Sequence, residues 1–367
     1  MNPGRIVPRV VLPALIVVTL LAGLGAGLSR LGWDMDTLSE RVRALHGPLM
    51  ISGFLGTLIC LERAVALAGR VRWALIVPAI NAVGALAVLL WPDAIYAKGL
   101  FTSAGIGLTI LYVYMLRMHP SRDVAIMGAG TVCWTIGNAL WLSGQPIVLT
   151  VHLWTAFLIL TIVGERLELS RVRRLTPLSE RLLVGVVGVY IVGVLISPAN
   201  LGLGVRVLGA GAVLVAAWLL RYDISRRTVK LSGLPRYIAI CLILGYMWLA
   251  FGGAAAIWKG AIFAGPDYAL VLHAFLLGFV FSMIFGHMPI ILPAISGVNF
   301  QFSRVLYVPL AVLHVSMLLR TAANLQIDQA ARQTAGLLNV IAILLFLATT
   351  AAIVVLSNRG GRQPAPA

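Results

Sequence analysis

The sequence predicts an all-α polytopic membrane protein, about twelve transmembrane helices arranged as a pseudo-three-fold 4+4+4 bundle. Three observations predict it. The 367-residue chain is 60% hydrophobic and only 11% charged, with mean hydropathy +0.98, and its apolar residues fall into runs of about 20, the length that crosses a hydrocarbon core. Of its 28 basic residues, twenty lie at the two ends of the chain and in every second connection, the asymmetry of a chain threaded back and forth through a bilayer. Three histidines, His46, His152 and His273, each stand near the start of the second run in successive groups of four.

The runs are read as helices because a chain inside a bilayer has to satisfy its own backbone hydrogen bonds. Arg5 and Arg9 precede the first, 10–29, in the manner of a signal peptide, but the run is long and lacks a clear small-residue cleavage site, so it is an anchor. The second, 46–67, opens on His46 and closes on Glu62-Arg63; the third, 71–91, follows Arg70-Val71-Arg72 and carries Asn81. Runs 97–118 and 124–144 come next, the latter with Asn138. The sixth, 147–168, repeats the second: it opens near His152 and closes on Glu165-Arg166, followed by Arg171-Val172-Arg173. Runs 181–199, 203–222 and 236–258 lead to the tenth, 267–294, with His273 and His287. The eleventh, 304–323, begins at Ser303-Arg304-Val305 and holds His314 and Met317; the twelfth is 334–356. Residues 1–357 form a single transmembrane domain, and 358–367, rich in Gly and Pro, a disordered tail.

Orientation follows from the charges. The minority side carries only eight basic residues, among them Arg30, Arg41, Arg320 and Arg332, which makes both termini cytoplasmic in a bacterial-type inner membrane. The same distribution, short loops with scattered arginines, excludes nucleic acid as a partner and leaves the lipid bilayer. Cys60, Cys133 and Cys241 are isolated within apolar runs, without CxxC or CxxCH spacing, and are packing residues.

The intervals of 106 and 121 residues between the three histidines imply three groups of four helices, with the second, sixth and tenth running the same way and meeting at the bundle centre. Imidazoles at membrane depth are costly and mark functional sites. At matched depth, His46, His152 and His273 are expected to share one ligand or metal near the outer surface, with His287 and His314 as further metal candidates. Met50 belongs with them: His46, Met50, Gly53 and Thr57 fall on one face of a regular helix. Neutral imidazole and thioether suit copper or haem iron. Gly278, Ser282 and Gly286 form a stripe for helix packing, and Asn81 and Asn138 are interhelical hydrogen-bonding groups. Glu62-Arg63 and Glu165-Arg166 are expected to form ion pairs at the interface, or their arginines to hold propionates or lipid headgroups. His119, beside Pro120, is a solvated loop residue. All twelve carboxylates lie in loops or near helix ends, which disfavours a proton pump built on a carboxylate chain.

The segments His46-Gly-Pro-Leu-Met-Ile-Ser-Gly-Phe54 and His273-Ala-Phe-Leu-Leu-Gly-Phe-Val-Phe-Ser-Met-Ile-Phe-Gly-His287, with histidines on helices two, six and ten of twelve, resemble the NnrS family of haem- and copper-containing membrane proteins. More distantly they are similar to haem-copper oxidase subunit I. The resemblance implies a haem, a copper or both among the inner helices, and a role in nitric oxide response or respiratory redox chemistry with a redox partner. It implies His46 and His273 as haem ligands and His152 as the position associated with copper. The chain departs from the oxidases at Phe275, where they have a second histidine, and at Ala156, where many have tyrosine. It also lacks their seventh-helix histidine pair, so a complete oxygen-reducing centre is not expected. A metal-free secondary transporter, with the histidines lining a substrate path, is the rival expectation.

Overall fold

A computed structural model describes residues 11–35, 40–170 and 175–360. Arg5, Arg9, Arg171, Arg173, Arg174, Arg362 and the tail after 360 lie outside the described residues. Among those described, every regular element is helical, and twelve helices are long and apolar enough to cross a membrane. In order they are α1 Leu12–Arg30, α2 His46–Leu67, α3 Arg72–Leu90, α4 Ile95–Met118, α5 Arg122–Leu142, α6 Ile147–Ser170, α7 Pro177–Ile196, α8 Leu201–Tyr222, α9 Gly233–Lys259, α10 Gly265–Ser296, α11 Arg304–Gln326 and α12 Gln329–Asn358. The chain is an integral membrane protein, and each span read from the sequence falls within a few residues of a helix.

Local chemistry sets the ends. Thr176 caps α7 by accepting from Ser179 N, with Pro177 in the first turn, and Asn200 caps α8 by accepting from Leu203 N at 3.0 Å. The last helix closes on the first: Gln329 and Gln333 both donate to Leu31 O, at 2.8 and 2.9 Å, satisfying a carbonyl that the end of α1 leaves open.

Three helices are buried far more than the rest. In α2, α6 and α10, 67, 83 and 78% of the most apolar stretch is buried, against 33–56% in the other nine, so these three form the interior. They also run in the same direction, because residues from their N-terminal halves line one cavity and residues from their C-terminal halves line another.

Two of the three are not regular α-helices. Leu49–Gly56 of α2 and Ala274–Phe281 of α10 are π-helical, each beginning within a turn of a histidine. Such segments are rare and concentrate at functional sites. The wider turn rotates the residues that follow it, which corrects the expected Met50, Gly53 and Thr57 face. Met50 stays beside the His46 cavity, whereas Gly53 turns to α1, where a Cβ would stand 2.6 Å from Thr19 Cγ2. Thr57 turns to α3 and accepts from Asn81 Nδ2 at 2.8 Å.

Around the π-segment of α2 the polar side chains of α3 and α5 satisfy what it exposes. Asn81 Nδ2 donates to Ser52 O at 2.7 Å, Trp134 Nε1 donates to Ser52 Oγ at 3.0 Å, and Asn138 Oδ1 accepts from Ser52 Oγ at 3.3 Å while its Nδ2 donates to Phe101 O of α4 at 3.2 Å. These are the interhelical bonds expected of both asparagines. The Gly278 and Gly286 stripe lets α9 approach, with Gly278 against Trp248 and Gly286 against Cys241. All three cysteines are buried and free, as packing residues should be. Replacing Asn81 by leucine removes two interhelical bonds and strands a π-segment carbonyl; the expected loss is about 1–2 kcal/mol, read as a lower unfolding midpoint in mixed micelles.

Candidate functional site

The N-terminal ends of α2, α6 and α10, together with α1, α11 and α12, enclose a cavity of about 450 Å³, a size suited to a cofactor or small organic molecule. His46 and His273 face each other across it. Their ring centroids are 6.3 Å apart and their planes differ by only 15°.

Each ring is fixed by its far nitrogen. His46 Nδ1–H donates to Gly23 O of α1 and His273 Nδ1–H donates to Ala269 O one turn back, both at 2.8 Å. A neutral imidazole that donates through Nδ1 presents a lone pair at Nε2, the arrangement of metal-ligating histidines. The Nε2 of His46 has no hydrogen-bond partner among the described residues, and that of His273 accepts from Arg320 Nη2 at 3.3 Å. Gly27 completes the seat, since a Cβ there would lie 2.9 Å from His46 Cε1.

The wall is apolar except for its cations. Leu24, Ile51, Leu272, Leu276 and Phe281 supply hydrocarbon, Met50 lies within the lining, and Arg30, Arg320 and Arg332 bring three guanidiniums. No carboxylate lines the cavity among the described residues. Arg320 is buried, donates to Asn339 Oδ1 at 3.0 Å, and makes no ion pair among the described residues. Its Nε has no partner. A buried cation without a counter-charge is costly, and it prepares the cavity for an acidic guest.

The other predicted ligands lie elsewhere. His152 is buried on α6 but does not line the cavity, whose α6 wall is Ile147, Val148 and Val151. The expected convergence of three histidines is therefore a pair. His314 accepts from Trp248 Nε1 through Nδ1 at 3.0 Å, while its Nε2 lies 3.5 Å from Ser282 Oγ; both ring nitrogens are engaged in bridging α9, α10 and α11. His287 donates through Nδ1 to Met283 O at 2.7 Å and accepts from Arg166 Nη1 at 3.3 Å. His119 is exposed, as expected. Among the described residues, no group of three His, Cys, Asp or Glu is placed to hold a metal ion.

At the opposite end of the same three helices the expected ion pairs are exchanged. Arg63 of α2 pairs with Glu165 of α6, with Glu62 farther off at 3.7 Å. Arg166 turns away from Glu165 to Asp223, Nε to Oδ2 at 2.9 Å. Neighbours in sequence project about 100° apart on a helix, so Glu165 and Arg166 point to different partners. Neither arginine lines the histidine cavity, which corrects the reading of Arg63 and Arg166 as propionate anchors; the arginines that line it are Arg30, Arg320 and Arg332. Asp223, at the end of α8, is fully buried and also accepts from Ser225 N at 2.7 Å. Its position at a helix end gave no sign of this in the sequence.

Fold and site together define an all-helical integral membrane protein whose parallel central helices carry a fixed imidazole pair beside a cation-lined cavity. The chain belongs to the family described as Domain of unknown function (DUF8744), which matches residues 9–355. No curated protein matches it.

Because Arg166 and Asp223 are both out of water, breaking the pair leaves a buried charge. Asp223→Asn and Arg166→Met are each expected to cost about 3–5 kcal/mol. The double variant Arg166→Met/Asp223→Asn should cost less than the sum, which a double-mutant cycle of detergent unfolding will measure.

Proposed function

We propose that the protein is a haem-binding membrane protein of the redox type, similar to NnrS and to oxidase subunit I, in which His46 and His273 would hold the haem iron. The observation that carries the reading is the imidazole pair itself. The ring centroids stand 6.3 Å apart and the planes differ by only 15°, a pair of neutral imidazoles that would suit one haem iron. Both Nδ1 atoms are tied to carbonyls and the walls are apolar, and Arg320, which here donates to His273 Nε2, would release that nitrogen to the iron and turn with Arg30 and Arg332 to the group's acid groups.

When bound, haem supplies one-electron chemistry whose potential depends on its axial ligands and on the charges around it. The chain's own residues do the rest. The carbonyls of Gly23 and Ala269 orient the imidazoles and raise their basicity. Arg30, Arg320 and Arg332 neutralise carboxylates, while Leu24, Leu276 and Phe281 keep water from the ring faces. A copper centre has less support, because His152, His287 and His314 stand apart from the pair.

The architecture belongs to the same proposal. The three central helices are the second member of each group of four, as a pseudo-three-fold 4+4+4 bundle requires. With the arginine-rich side in the cytoplasm of a bacterial-type cell, both termini are cytoplasmic and the histidine cavity opens to the periplasmic side, where a redox partner reaches it. A role in nitric oxide response or respiratory electron transfer follows from that chemistry.

Purified from haem-replete cells, the full chain should show a Soret band and a positive haemochrome assay. His46→Ala and His273→Ala should each lower haem content at least tenfold, while His152→Ala and His314→Gln retain it. A colourless wild type, or a spectrum indifferent to both ligand variants, overturns the reading. Gly27→Leu, which crowds the His46 ring, should lower haem content by about 10–100-fold; Gly47→Ala, whose Cβ would meet nothing within 4 Å, should leave it unchanged.

A further inference from the structure

A second cavity, of about 70 Å³, lies between the C-terminal halves of α2, α6 and α10. It has room for about two water molecules. Three protonatable side chains line it, one from each central helix: Glu62, Glu165 and His287. Around them stand Arg63 on Glu165, and Arg166 on His287 and Asp223. Three carboxylates thus share two guanidiniums, and one proton-accepting charge is in excess.

A second, independent observation points to water in the cavity. Thr161 lines it, is only 3% exposed, and its Oγ1 has no hydrogen-bond partner. Other threonines in these helices satisfy themselves on the preceding turn, Thr155 on Val151 O at 2.8 Å and Thr57 on Gly53 O at 2.5 Å. Thr161 does not, and a buried hydroxyl left in this way takes a water as its partner.

The two cavities meet at a single residue. Leu55 lines both. It sits near the end of the π-helical stretch of α2, opposite the end of the π-helical stretch of α10, where Phe281 lines the first cavity and Val280 the second. Apolar constrictions of this kind close a path by excluding water, and π-segments concentrate at functional sites.

We propose that the two cavities are consecutive stations of one proton path along α2, α6 and α10, with Glu62, Glu165, His287 and Thr161 as the protonatable, water-holding station and Leu55 as the seal. The path needs no carboxylate chain through the hydrocarbon, because one apolar layer separates the stations. The proposal does not depend on what the first cavity binds.

The test is proton flux into liposomes that hold the full chain and a trapped pH-sensitive dye, driven by a potassium diffusion potential. Leu55→Ser, with Leu55→Ala as a second variant, should raise flux at least tenfold over wild type. Adding Glu62→Gln and Thr161→Val to Leu55→Ser should return it to the wild-type level. Monodisperse seal variants with wild-type flux overturn the proposal. So does a rise that passes choline as readily as protons, or one that survives loss of Glu62 and Thr161.

Discussion

The structure depends on a polar clasp among three helices that hydrocarbon alone would not hold together. In a bilayer, lipid tails are as apolar as leucine, so helices associate through close packing and through polar groups that find one another. Arg63 reaches from α2 to Glu165 of α6, and Arg166 reaches from α6 to His287 of α10 and Asp223 at the end of α8. These contacts join the C-terminal ends of all three central helices and fix their relative depth. With one end fixed, the helices' parallel course sets the histidines at the other end in register.

The π-helical segments of α2 and α10 are the second consequence of that arrangement. A π-turn leaves backbone groups poorly placed for its own helix, and in lipid such groups have no water to turn to. Here the segments face protein: Asn81 and Trp134 reach the Ser52 region of α2, while the α10 segment is buried against α9. The outer helices are therefore part of the site's support, holding open the geometry that turns His46 and His273 toward each other.

Much of this was legible in the sequence, and the parts that were not share a physical cause. The span limits could be read because the thickness of the hydrocarbon sets them. The direction and central place of α2, α6 and α10 could be read from the recurrence of a histidine early in each. What failed was rotation about the helix axes. His152 lies one residue beyond Val151 and so faces away from the cavity that Val151 lines, and Gly53 was placed on the wrong face because no residue type announces a π-turn. Arg320 and Asp223 were counted as ordinary charges near helix ends, yet both are buried, since burial depends on which neighbouring helix covers the end. Composition gives the direction and length of a span; packing decides its azimuth.

The charges at the two ends of the central helices oppose each other, and this bears on what each end can hold. The first cavity gathers three guanidiniums and two imidazoles with no carboxylate among the described residues, so its field favours anions. The second has carboxylates in excess over its arginines, so its field favours protons and other cations. In a low-dielectric interior such fields reach farther than in water, and the apolar layer at Leu55 does little to screen one from the other. A proton moving along the proposed path from the second station would meet the positive charge of the first, where Arg30, Arg320 and Arg332 line the cavity. On the proton path proposed above, an acidic guest in the first cavity would act on the second station through charge alone, with no change in fold required.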